Sequence, residues 1–185
     1  MAAPSSDVAF SARVKEVQSR KGSRDAYARM EAAGGWETQI DDELRAFIER
    51  QESIFIATAS ADGQPYVQHR GGPPGFLRVL DGRTIAFADF DGNRQYITQG
   101  NLEENPKAQL LLIDYAVGRR VKIWGRARIV EDDKELVRRL MPMNYPARAS
   151  QALVFTVTAV DENCRKHIPQ RFETNDAGSA VTTVP

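Results

Sequence analysis

Between residues 120 and 130 the chain alternates without a break: Val121, Ile123, Gly125, Ala127 and Ile129 take one parity, Lys122, Trp124, Arg126 and Arg128 the other. Successive side chains of a strand point to opposite faces, so this period of two predicts a strand with one side buried and one turned outward. Such a strand cannot bury its apolar side alone. The sequence around it supplies companions at residues 53–60, 64–70, 76–80, 84–88, 109–113 and 153–157, each short and rich in β-branched or aromatic residues. Asp62-Gly63 and Asp81-Gly82 are hairpin signals between them. Gly71-Gly-Pro-Pro-Gly75 stops a ladder, because proline removes donors and glycine frees the backbone. A helix is expected through Tyr96, Ile97 and Leu102, stopping near Asn105-Pro106, and a second at residues 132–140. Six or seven short strands joined mostly by hairpins predict a mainly β fold with flanking helices, an antiparallel sheet curled into a small barrel.

The first fifty residues read differently. Phe10, Val14 and Val17 recur at helical spacing behind Ser5 and Ser6 as caps, and Gly22 ends that stretch. Ser23 caps a second helix carrying Tyr27 and Met30, Gly34-Gly35 breaks it, and Asp41 caps a third with Leu44, Phe47 and Ile48 on one face.

At 185 residues the chain fits one globular domain, and 42% hydrophobic with 27% charged residues is an ordinary composition for one. Lys+Arg and Asp+Glu both number 25, which removes the basic footprint of a nucleic-acid binder. The balance is local, however: residues 66–130 hold ten basic against six acidic side chains, so an anionic ligand is sought there. A single cysteine excludes an internal disulfide and fits a reducing compartment. No apolar run approaches the length of a membrane span, and no secretory signal opens the chain; the expected location is cytoplasmic.

No phosphate-binding P-loop, dinucleotide fingerprint, nucleophile elbow or zinc-protease motif occurs. Cys164-Arg-Lys-His167 has the spacing of half a zinc site without a second half, so no metal is expected and Cys164 reads as a small filler. His69 and His167 are the two histidines, the side-chain type suited to acid–base work near neutral pH. The richest stretch is Pro65-Tyr-Val-Gln-His-Arg-Gly71, where Gln68 and Arg70 share a face and His69 takes the other. Beyond the next strands, Asn93-Arg94-Gln95 sits where a glycine loop enters a helix. Free N–H groups at a helix start, with an arginine beside them, suit a phosphate.

These residues resemble the pyridoxamine 5'-phosphate oxidase-like family of FMN-binding split barrels. The resemblance runs from about Phe47 to Phe172 and rests on Gly71-Gly-Pro-Pro-Gly-Phe76, Gly92-Asn93-Arg94 and His167-Ile-Pro-Gln-Arg-Phe172 in this order. It implies an antiparallel split β-barrel over residues 51–172 with a helical extension over 1–50; the small, polar residues from Glu173 onward predict a disordered tail over 173–185. It also implies FMN as cofactor and a homodimer with the flavin at the interface. Gln68, His69 and Arg70 would lie along the flavin, and Phe87-Ala88 would pass their backbone by its edge. Asn93, Arg94 and Gln95 would hold the phosphate. Arg120 would reach over from the neighbouring subunit, and His167 and Arg171 would close the site. The activity implied is that of an FMN-dependent oxidoreductase on a small substrate, with a nicotinamide as possible donor. A non-catalytic flavin-binding or sensing module, or a barrel holding deazaflavin or haem, stands as the alternative. The chain departs from pyridoxamine phosphate oxidases proper: the second strand runs into Gly71-Gly-Pro-Pro where they carry arginine and lysine, and Gln95 follows the loop arginine where they carry a basic residue. The substrate is left open by that departure.

Overall fold

In the computed structural model, residues 3–163, 166–169 and 171 are described. Seven strands form one antiparallel sheet: β1 (Ser53–Ala59), β2 (Pro65–Gly71), β3 (Arg78–Asp81), β4 (Thr84–Phe90), β5 (Lys107–Asp114), β6 (Arg119–Val130) and β7 (Ala149–Asn163). Their order is β2-β1-β5-β6-β7-β4-β3, so the ladder is open, with β2 and β3 at its edges. It curls around one core. Ile54 and Ile56 of β1, Leu110 and Leu112 of β5, Val121 and Ile123 of β6, Phe155 and Val157 of β7, and Ile85 and Phe87 of β4 all belong to a single buried cluster. The strand pattern predicts this curled antiparallel sheet, and the family resemblance its split-barrel form.

The alternating strand is β6, and its even-numbered side chains point away from the core as the period of two requires. Its ladder with β7 breaks register between Trp124 and Gly125. At that bulge a side chain has no room: a Cβ on Gly125 would run into the Thr156 carbonyl and the Phe155 ring. β7 is longer than the apolar run 153–157 predicts. Its outer half alternates small and polar residues, and pairing to the full length of β6 holds it extended to Asn163.

α3 (Asp42–Glu49) closes one end of the barrel. The Asp41 carboxylate caps it, accepting from the Leu44 N–H at 2.8 Å, and Leu44, Phe47 and Ile48 are buried as the apolar face predicts. Arg119 lies over the Phe47 ring and pairs with Glu43 at 3.0 Å and Glu162 at 2.8 Å, tying the helix to the long strands. α5 (Lys134–Leu140) covers the outer side of β4 and β7, where Val137 and Leu140 meet Ala86, Ala88, Ala152 and Val154.

The extension consists of a turn of 3-10 helix at Ser5–Val8, α1 (Ala12–Lys21) and α2 (Arg24–Ala32). Ser11, not Ser5 or Ser6, caps α1, and Ser23 makes no side-chain cap to α2; Ser5 instead donates to the Trp36 carbonyl at 2.5 Å. Gly22 ends α1 in the left-handed conformation, φ 78°, as its position foretold. The chain then lays Trp36 on Trp124 and bridges Glu37 to Val160. Trp124, expected outward, is thus covered by the chain's own extension. Cys164, Phe172 and residues 173–185 lie outside the described residues. Among the described residues, no helix is long and apolar enough to cross a membrane.

Candidate functional site

β2 is an edge strand, and this decides what its inner face does. Tyr66, Gln68 and Arg70 stand opposite Thr58, Ile56 and Ile54 of β1, on the core side of the sheet. With no strand beyond them they line a cleft of about 640 Å³ instead of the core. The far wall is the end of β4, with Asp89 and Phe90, and the start of β7, with Ser150 and Gln151. Across the mouth run residues 91–96 and the first turn of α4 (Ile97–Glu104). A buried hydrogen bond from Asn101 to Thr58 Oγ1, 3.0 Å, anchors α4 to β1.

The loop into α4 is held by its own asparagine. Asn93 Oδ1 accepts from the Gln95 N–H and its Nδ2 donates to Gln95 Oε1, both at 3.2 Å. Arg94 and Tyr96 adopt left-handed backbone, φ 58° and 53°. Tyr96 stands at the N-cap without a capping hydrogen bond, so the N–H groups of Ile97, Thr98 and Gln99 have no intrahelical acceptor and border the cleft. Arg94 is exposed and in no ion pair among the described residues.

Arg70 is in a different state. Its guanidinium pairs with Asp89 at 3.2 Å, and Gln151 donates to the other Asp89 oxygen at 2.8 Å. Asp91, Glu103 and Glu131 add further carboxylates to the lining. The basic excess of residues 66–130 is therefore not concentrated here. Arg126 and Arg128, outward on β6, carry part of it elsewhere.

Of the residues singled out from sequence, Gln68, Arg70, Asn93, Arg94 and Gln95 come together around this cleft. The others stand apart from its lining. His69 points to the opposite face of β2, bonding Ser53 Oγ at 2.9 Å beside the Phe55 ring. Phe87 is in the core and Ala88 under α5. Arg120 is on the outer face of β6, its Nε buried without a hydrogen-bond partner. Arg171 stacks on Tyr115, 4.7 Å from guanidinium carbon to ring centroid, and donates its N–H to the Tyr115 carbonyl. His167 is exposed, with φ 64°. Asp89, Gln151 and Tyr66 were missed. Asp89 is a carboxylate ending an apolar strand, a signal that is visible once the strand is extended to Phe90.

These residues fit a planar cofactor with an anionic tail. The volume is that of a small-molecule site, Arg94 and the open N–H groups suit a phosphate, and the carboxamides of Gln68, Gln95 and Gln99 offer donors and acceptors. Among the described residues, neither histidine, cysteine nor methionine lines the cleft. Among the described residues no cluster suits a metal ion.

The sequence profile of the pyridoxamine 5'-phosphate oxidase family matches residues 40–164. Solved structures with this fold include HupZ from Group A Streptococcus (19% identity, TM-score 0.54, spanning 66% of this chain and 93% of that one). A candidate pyridoxamine 5'-phosphate oxidase from Lactobacillus delbrueckii aligns at 22% identity and TM-score 0.50, over 68% and 95%. An FMN-binding protein from Syntrophomonas wolfei aligns at 12% and 0.51, over 80% and 95%. No curated protein matches the chain. The profile covers two thirds of the sequence, and the seven-stranded split barrel agrees with it; the chain belongs to the pyridoxamine 5'-phosphate oxidase family.

Proposed function

We propose that this protein binds FMN in the cleft between β2, β4 and α4 and works as an FMN-dependent oxidoreductase on a small molecule. The observation that carries this is Arg94: an arginine in no ion pair among the described residues, beside the uncapped first turn of α4, at the mouth of a cleft of about 640 Å³. Arg94 and the N–H groups of α4 bind the phosphate, and Asn93 keeps the loop in shape for it. Gln68 faces the ring. Bound FMN would supply hydride and electron transfer, while the protein orients it and excludes water. Similarity of fold to an FMN-binding protein supports the cofactor.

In this reading two copies assemble, and Arg120 of the second copy, with its unpartnered Nε, approaches the flavin. A nicotinamide is the donor that fits the chemistry. A second reading is a flavin-binding module without turnover, since among the described residues no histidine lines the cleft. Anaerobic mixing of the flavin-loaded protein with reduced nicotinamide separates the two: bleaching of the visible absorption supports the enzyme, an unchanged spectrum the module.

The phosphate assignment is tested by Arg94→Ala. FMN affinity should fall by about ten- to a hundredfold, the worth of a hydrogen bond to a charged group, with riboflavin affinity nearly unchanged. Equal losses for both ligands would remove Arg94 from the phosphate.

A further inference from the structure

We propose that Arg70, positioned by Asp89, reads the ring of the bound flavin and not its phosphate, and that the Asp89 charge tunes how strongly the site holds the reduced ring. This rests on the flavin reading above and divides the cofactor between two arginines. Four strands lie between β2 and β4 in the sheet order, and only its curl brings Arg70 to Asp89. The pair is well sheltered, with 24% of the Arg70 side chain and 11% of the Asp89 side chain exposed. Gln151 fixes one carboxylate oxygen at 2.8 Å. The other, Oδ1, is buried and accepts no hydrogen bond, and Arg70 Nε is buried and donates none.

Arg70 is thus held through Nη2 against a carboxylate, while its Nη1 makes no hydrogen bond among the described residues. Its charge is offset on the spot. A dianionic phosphate gains little from such an arginine, since Asp89 repels what Arg70 attracts. A neutral acceptor, such as a ring carbonyl or ring nitrogen, gains an oriented donor and meets no net charge. Arg94 has no such counter-ion and is suited to the charged tail. Reduction makes a flavin ring more electron-rich, so an arginine at its edge favours the reduced form, and the Asp89 charge weakens that preference.

The test titrates the purified full-length protein with FMN, riboflavin and lumiflavin, the last having the ring without the phosphate-bearing chain. Arg70→Gln should weaken all three by a common factor of about ten or more; Arg70→Lys, which keeps the charge but loses the planar fork, should do likewise. Asp89→Asn should shift the ratio of reduced to oxidised affinity about tenfold toward the reduced form, about 30 mV for two electrons. Asp89→Glu should restore the original ratio. A loss confined to FMN would return Arg70 to the phosphate and overturn the inference, as would undiminished affinity in both Arg70 variants or an unmoved ratio in Asp89→Asn. A wild-type protein that binds none of the three flavins would instead overturn the flavin reading itself.

Discussion

The indole of Trp36 lies stacked on that of Trp124, ring centroids 4.8 Å apart and planes 17° from parallel. Trp36 belongs to the segment before the family match and Trp124 to the outer face of β6, so this contact joins the extension to the barrel. Phe10 packs edge-on against Trp36 at 5.0 Å and against Tyr27 at 5.1 Å, extending the aromatic chain into α2. Trp36→Ala should destabilise the protein by about 1–3 kcal/mol in a denaturant titration. Limited proteolysis should then cut within α1 and α2 well before the barrel. An unchanged midpoint and cleavage pattern would mean that the extension is held by other contacts.

Gly125→Ala addresses the barrel itself. The added methyl meets the Thr156 carbonyl and the Phe155 ring at the bulge, and backbone on two paired strands must shift to admit it. The expected loss is about 3 kcal/mol, seen as a lowered unfolding midpoint. Full stability of the variant would show that the bulge relaxes.

Acid should loosen the extension first. Burial alone would raise the Glu31 carboxyl, but its bonds to Arg24 and Lys15 outweigh that and hold it below the ordinary glutamate value of 4.5. A carboxyl depressed in the folded state contributes stability above its unfolded value, and that contribution is lost as the pH falls below 4.5 through the folded value. Protease sensitivity of α1 and α2 should rise in this window, and Glu31→Gln should remove most of the pH dependence. Sensitivity independent of pH in the wild type would contradict this.

The sequence made the strands legible because their signals are local: alternation in β6, Asp62-Gly63 in the first hairpin, and Asp41 ahead of the apolar face of α3. The end of β7 was not, since small and polar residues there become a strand through pairing with β6. At the site, Asn93-Arg94-Gln95 could be found from the glycine loop and the helix that follows. The Arg70–Asp89 pair could not, because it joins strands that are far apart in the sheet and depends on how the sheet curls. For the same reason the counter-ion of Arg70 does not show in the sequence.

Sedimentation of the purified protein after saturation with FMN, followed at the flavin's visible absorption, tests the central claim most directly. The account predicts that the yellow colour travels with a species of twice the chain mass and one flavin per chain, and that Arg94→Ala leaves most of the colour behind. Colour that stays in the supernatant with wild-type protein, or that travels with a single chain, would contradict it.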